Sequence, residues 1–239
     1  MKKCIWIIAI LITPLLLGAQ TTNGDMIKVT ANIKAGALLQ NYPFELPGFN
    51  NTLSSPDAKS NGFLVGADII FKKKWLGMIT SLYGRSCGVD ESFYLETFEL
   101  SSFNSDNFFS FGVLTGLYCE IPVSDGVFSS VYAKLQAGGM RVYFPDQEFN
   151  FTDSYLNSLQ IENKVSAGFV SNIGLGGRFK IGEKTSLVLD LNMMRETADI
   201  PTTEILDYKD VNIITERVDE VIEWNQVLFN PNIGFSLTF

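Results

Sequence analysis

The feature that most constrains this chain is an alternation of apolar with polar or small residues. It returns in eight stretches joined by connections that are by turns short and long. Successive side chains of a strand point to opposite faces, so period-two alternation reads as strand. The stretches are 27–40, 62–71, 76–86, 108–121, 127–143, 164–181, 185–195 and 224–239. Turns of a few residues, "KKKW", "PVSDG" and "GEK", join the second to the third, the fourth to the fifth and the sixth to the seventh. The other connections run to about 20 residues or more, rich in Asn, Asp, Ser and Pro. Short turns at one end and long loops at the other are the layout of an eight-stranded antiparallel up-and-down transmembrane β-barrel of the bacterial outer membrane. On that reading the long loops are extracellular, and the short turns and both termini are periplasmic.

The two faces of the strands separate a membrane barrel from a water-soluble sandwich, which alternates as well. In the last stretch Val227, Phe229, Ile233, Phe235, Leu237 and Phe239 share one face. Gln226, Asn230, Asn232, Gly234, Ser236 and Thr238 share the other. The sixth and seventh stretches divide alike. The apolar faces are nearly free of charge, as lipid demands, because a charge near the bilayer midplane costs roughly 2–4 kcal/mol. The opposite faces are rich in Gly and Ser, which suits a narrow lumen. The third stretch alone leaves its register open. Leu76, Met78, Thr80 and Leu82 compete with Trp75, Ile79 and Tyr83 for the lipid side.

The start, "MKKCIWIIAILITPLLLGAQ", has two lysines, a short apolar run and a small-residue site. It reads as a signal peptide over 1–19, cleaved after Ala19, with the barrel domain over 20–239. The run is short for an uncleaved anchor, and Cys4 precedes it, so it is not a lipidation site. Net charge is −8, and loss of Lys2 and Lys3 makes the chain more acidic. No basic face for nucleic acid is visible. There is no histidine, which removes the commonest general base and zinc ligand. Cys87 and Cys119 are expected at opposite ends of a hairpin, out of disulfide reach.

Lys34, Asp68, Glu120, Lys134, Arg178 and Asp190 fall on the inward side of their strands. They predict a structural charge network filling the lumen, since eight strands leave room for side chains rather than a channel. Arg178 and Asp190 are the expected pair; a proton or ion path is the functional alternative. Phe108, Phe109, Phe111, Tyr143, Phe144 and Trp224 predict an outer aromatic belt, and Phe71, Trp75, Phe128, Phe179 and Phe239 an inner one. Tyr42, Phe44, Phe49, Phe93, Tyr94 and Phe98 lie beyond the belts, for adhesion, a protein partner or anchoring between loops. "GLGGRF" at 174–179 lacks the spacing and the helix of a phosphate loop. Its glycines relieve crowding in a tight barrel. The last connection carries Asp199, Glu204, Asp207, Asp210, Glu216, Asp219, Glu220 and Glu223 without calcium-loop spacing. It reads as a solvated acidic loop, divalent-cation binding being the alternative. "VNIITERV" at 211–218 suggests strands continuing above the membrane as a hairpin.

With "LLLGAQ", "LYCEIPVSDGVFSSVYAKLQAGG" and the terminal "NPNIGFSLTF", the chain resembles the small outer-membrane β-barrel domain proteins of Bacteroidota, which include the PorT-like group. The resemblance implies that Phe235, Leu237 and Phe239 form the signal presented to the barrel-assembly machinery. It brings no catalytic residues and no cofactor. Small barrel enzymes share the strand layout but depend on a catalytic histidine. The expectation is a non-enzymatic outer-membrane barrel that contacts lipid and whose loops serve surface interaction, with an envelope or surface protein as a possible partner, or play a membrane-structural role. The alternative is transport, as a narrow or gated pore or as an accessory subunit of a secretion or uptake complex.

Overall fold

A computed structural model describes residues 27–40, 61–89, 91–97, 100–152, 156–208 and 216–239. Eight strands hydrogen-bond into a ring. They are β1 (Lys28–Gln40), β2 (Asn61–Lys73), β3 (Leu76–Cys87), β5 (Phe108–Pro122), β6 (Phe128–Phe144), β9 (Lys164–Lys180), β10 (Thr185–Tyr208) and β11 (Glu216–Thr238). Each pairs antiparallel with the next, and β11 closes on β1 with Thr30 opposite Thr238 and Ile33 opposite Phe235. The chain is therefore an eight-stranded antiparallel transmembrane barrel with no open edge in its wall. Between β3 and β5 lie α1 (Glu91–Thr97) and β4 (Leu100–Ser105); between β6 and β9 lie β7 (Gln147–Phe151) and β8 (Leu156–Ile161).

The alternation sorts the side chains as lipid and lumen would. Ile33, Leu117, Leu175 and Phe235 point outward and are 61–74% exposed, while Asn32, Lys34, Asn232 and Ser236 point inward and are buried. Apolar surface on this scale needs an apolar solvent rather than water. The third stretch now has its register: Leu76, Met78 and Leu82 face out, and Ile79 and Tyr83 are buried in the lumen. Lys74 and Trp75 form the two-residue turn that brings Lys73 opposite Leu76.

The aromatic belts need correction. Phe109, Phe111 and Tyr143 face outward, but Phe108, Phe144 and Trp224 are buried inside the barrel. Position near the loop end suggested the belt; parity decides against it, because these three share the inward face with Ser110, Val142 and Leu228. At the opposite rim Trp75 and Phe239 are exposed and Phe128 packs on Phe179, 5.1 Å between ring centroids.

The long connections hold more order than polar loops. β10 and β11 are 24 and 23 residues long, whereas crossing a bilayer takes about 9–11. β10 leaves β9 after Ala198 opposite Gly168, then takes β8 as its neighbour from Glu204 opposite Ile161. β8 pairs with β7, and β7 with β4. The result is a distal sheet in the order β11-β10-β8-β7-β4, built on the two longest strands of the barrel. The expected acidic loop is thus, in its described part, a β-hairpin that continues the wall. Its residues 209–215 lie outside the described residues, as do the predicted signal peptide and Tyr42, Phe44, Phe49 and Phe98.

One apolar cluster runs from the loop half of the lumen into the distal sheet. It joins Leu38, Leu64, Leu114, Met140 and Leu228 to Phe103, Phe149, Leu159 and Ile161. Tyr94 on α1 stacks on Phe103 at 4.7 Å and lies 6.2 Å from Phe149. Of the loop aromatics, Tyr94 therefore anchors the loop against its neighbours.

Candidate functional site

Among the described residues the strands bring many ionisable groups together in the lumen, where they form three tiers. At the turn end Glu120 is held by Lys72 and by Ser130 and Tyr118, whose hydroxyls donate at 2.5 and 3.1 Å. Arg178 Nε lies 3.2 Å from Glu120, an ion-pair distance without a hydrogen bond from that N–H. The same guanidinium donates to Ser236 and to Tyr118 and stands 5.6 Å from the ring centre of Tyr132.

Mid-lumen, Lys34 reaches Asp68 at 3.0 Å and Asp190 at 3.2 Å, and Lys134 reaches Asp190 at 2.5 Å. Ser81 and Asn32 donate to Asp68, and Asn192 donates to Asp190. Two cations and two anions at this level cancel.

Nearer the loop end, Arg85 and Glu196 pair at 2.5 Å, with side chains 1% and 0% exposed. Tyr83, Ser110 and the Trp224 indole also donate to the Glu196 carboxylate, at 2.9, 3.0 and 3.3 Å. Above them Phe108 meets Phe144 edge-on at 5.1 Å and Trp224 at 5.6 Å, and Arg85 sits 5.4 Å from the Trp224 ring centre.

All six predicted lumen residues are thus buried and ion-paired inside the barrel. The predicted Arg178–Asp190 pair is not formed. On the ladder Arg178 is opposite Val188 and Asp190 opposite Gly176, one inward position out of step. Arg178 reaches Glu120 near the turn end, and Asp190 is taken by the two mid-lumen lysines. Sequence reasoning missed Lys72, Arg85 and Glu196. Arg85 lay on the strand of open register, and Glu196 stands one residue past the predicted end of the seventh stretch. The signal available was parity, since both share the inward face of their strands.

The glycines of "GLGGRF" make room for this filling. A Cβ on Gly174 would strike the Lys134 side chain and Asn192, and one on Gly176 would strike the Tyr132 ring. A cavity at mid-lumen, lined by Lys34, Ser81, Asn172, Asn230 and Asn232, has a volume of about 10 Å³, room for about one water molecule.

Among the described residues neither Cys87 nor Cys119 is in a disulfide. Cys87 is buried, opposite Phe108, and Cys119 is opposite Leu76, at the other end of β3. Among the described residues no three His, Cys, Asp or Glu side chains are grouped to hold a metal ion. In the distal sheet, burial pushes the Tyr94 phenol above its ordinary pKa, so it packs as a neutral ring. The sheet's exposed side chains mix amides and hydroxyls with the charges of Glu148, Asp199, Arg217, Asp219 and Glu223. Asn150 donates to Ser102 at 2.9 Å, and Asn157 to Asp207 at 3.0 Å.

No family model matches the sequence, and no curated protein matches it. Among solved structures the chain is similar to Ail, the attachment invasion locus protein of Yersinia pestis. Identity is 14%, over 89% of this chain and 99% of that one, with a TM-score of 0.42. It is similar to a major outer membrane protein from Thermus thermophilus, at 10% identity over 87% and 99%, TM-score 0.44. It is also similar to the outer membrane protein OprG from Pseudomonas aeruginosa, at 12% identity over 88% and 95%, TM-score 0.43. At these identities and scores no activity and no residue role carries over.

Proposed function

We propose that this chain is a non-enzymatic integral protein of the bacterial outer membrane, a closed barrel that anchors a distal sheet at the cell surface for interaction with a partner there. One observation carries the reading: the lumen is filled by three ion-paired tiers under an aromatic layer, while the longest strands, β10 and β11, are spent on the sheet beyond the rim. A pore would invert that allocation. The location rests on the apolar wall, the closed ring and the predicted signal peptide. In this reading the short turns and termini are periplasmic, and Phe235, Leu237 and Phe239 present the closing strand to the barrel-assembly machinery. The absence of histidine supports a non-enzymatic role.

Two measurements test the proposal together. Planar-bilayer recording of the reconstituted chain should show no steady conductance. Cross-linking on intact cells followed by mass spectrometry should recover a partner attached through the distal sheet. A steady, large conductance would sink the anchor reading and favour transport.

A further inference from the structure

We propose that a groove in the lipid-facing wall, crossing β1, β2, β3 and β5, holds one acyl chain of a lipid whose anionic headgroup rests on Arg141. The inference depends on the membrane reading above and adds a ligand to it. The groove follows one row of outward residues through the ladder. Ile233 is opposite Ala35, Ala35 opposite Val65, Val65 opposite Gly84, Gly84 opposite Phe111, and Phe111 opposite Arg141. The floor is low at Ala35 and Gly84. The rows on either side are bulky, with Ile33, Leu82 and Phe235 toward the turn end and Phe63, Phe109 and Tyr143 toward the loop end. Two hollows of about 570 and 530 Å³ result, and they join at Val65 and Gly84. A Cβ on Gly84 would meet nothing within 4 Å, so the space above it is open.

Dimensions and charge point to a lipid. The path from Ile233 to Phe111 takes four strand steps, about 19 Å at the usual spacing. Barrel strands are tilted, so a row square to them climbs along the barrel axis. This row begins in the turn-end half of β11 and reaches Arg141 near the loop end of β6. Its rise is comparable to one leaflet of a hydrocarbon core about 30 Å thick. Arg141 is exposed on the outward face, with Phe111 and Ala167 as its ladder partners. Phe109, Tyr143 and Val165, also outward, lie beyond it toward the loop end. A guanidinium among apolar neighbours on a lipid face is costly unless it reaches an anion at the interface. No ion pair joins it to a described residue. Asp199, one place past the Ala198–Gly168 pair, is exposed two strands away, about 10 Å between backbones. A second copy of this chain would bring the same row, Ile233 to Arg141, which holds no carboxylate. A lipid supplies the chain and the anion together.

The test uses the full chain in nanodiscs of phosphatidylcholine and phosphatidylglycerol in equal parts. Lipids retained after gentle extraction are counted by native mass spectrometry. The wild type should retain one lipid, with phosphatidylglycerol preferred and the preference falling as salt rises. Arg141→Gln should keep a bound lipid but lower the preference roughly fivefold. Gly84→Leu builds a side chain into the open floor. It should retain no lipid of either kind, with heat-modifiable gel mobility as in wild type. Should that variant fail to insert, Ala35→Leu fills the same floor and decides. Arg217→Gln, the same charge change in the distal sheet, should behave as wild type. Equal retention of the two lipids by the wild type overturns the headgroup site, as does an equal fall with Arg217→Gln. Undiminished retention by the groove-filling variant overturns the groove. A wild-type dimer that Gly84→Leu dissolves gives the groove to a second copy and overturns the lipid. A wild type that inserts yet retains no lipid overturns this inference only. A chain that does not insert overturns the barrel reading beneath it.

Discussion

Glu196 offers the sharpest test of how the lumen is held. Its carboxylate is fully buried and takes donors from Tyr83, Ser110, Trp224 and both Nε and Nη2 of Arg85. Glu196→Gln keeps the volume but removes the charge, leaving the Arg85 guanidinium buried between Trp224 and Ser110 without a counter-ion. Breaking a buried pair from one side costs about 3–5 kcal/mol. That is roughly two to four decades in the folded-to-unfolded ratio. Replacing both partners, Arg85→Leu with Glu196→Leu, removes both desolvation costs and should fall well short of the sum of the single losses. A double-mutant cycle should show coupling of about 2 kcal/mol or more. The assay is urea unfolding of the lipid-reconstituted barrel, followed by far-ultraviolet circular dichroism so that the Trp224 signal does not bias the result. If Glu196→Gln unfolds within about 0.5 kcal/mol of wild type, the pair is not holding the barrel and the reasoning fails.

Further expectations follow from neighbouring features. Gly176→Val drives a side chain into the Tyr132 ring and should cost about 1–3 kcal/mol, with recovery in part on adding Tyr132→Leu; no loss in the single variant would refute the crowding. Tyr94→Ala removes a ring stacked between α1 and β4. It should cost about 3–5 kcal/mol of distal-sheet stability, read as faster proteolysis at the loop end with the barrel's heat-modifiable gel mobility unchanged; a lost mobility shift would show that sheet and barrel unfold as one. Cys87 is buried and Cys119 faces the bilayer, so a membrane-impermeant maleimide should label neither thiol until the chain is unfolded.

The ring itself was legible because lipid and lumen enforce the same two-residue period along every strand, and a slip of one residue would turn each strand inside out. The lumen residues were legible for the same reason. What parity alone does not give is which inward charge meets which. Arg178 and Asp190 are near in sequence, but tilt and stagger bring Arg178 to Glu120 and Asp190 to Lys34 and Lys134. β3 hid its register because apolar residues lie on both its faces, Leu82 toward lipid and Tyr83 toward Glu196. That ambiguity concealed Arg85 as well. β4, β7 and β8 are five or six residues each, too short for a periodic signal. Their pairing depends on β10 changing neighbours, a long-range event with no local mark. Phe108, Phe144 and Trp224 were misread because aromatic residues near a membrane border serve a belt or a plug equally well, and only parity separates the two.

The change of neighbours along β10 has a mechanical consequence. The strand that organises the distal sheet is continuous with one that lies in the barrel wall between β9 and β11, from Thr185 opposite Leu237 to Leu206 opposite Glu216. A partner pulling on the sheet along the strands would load the β9–β10 and β11–β1 ladders in shear, many hydrogen bonds at once, instead of peeling them singly. On the proposed anchor reading, the attachment point and the anchor are cut from the same two strands.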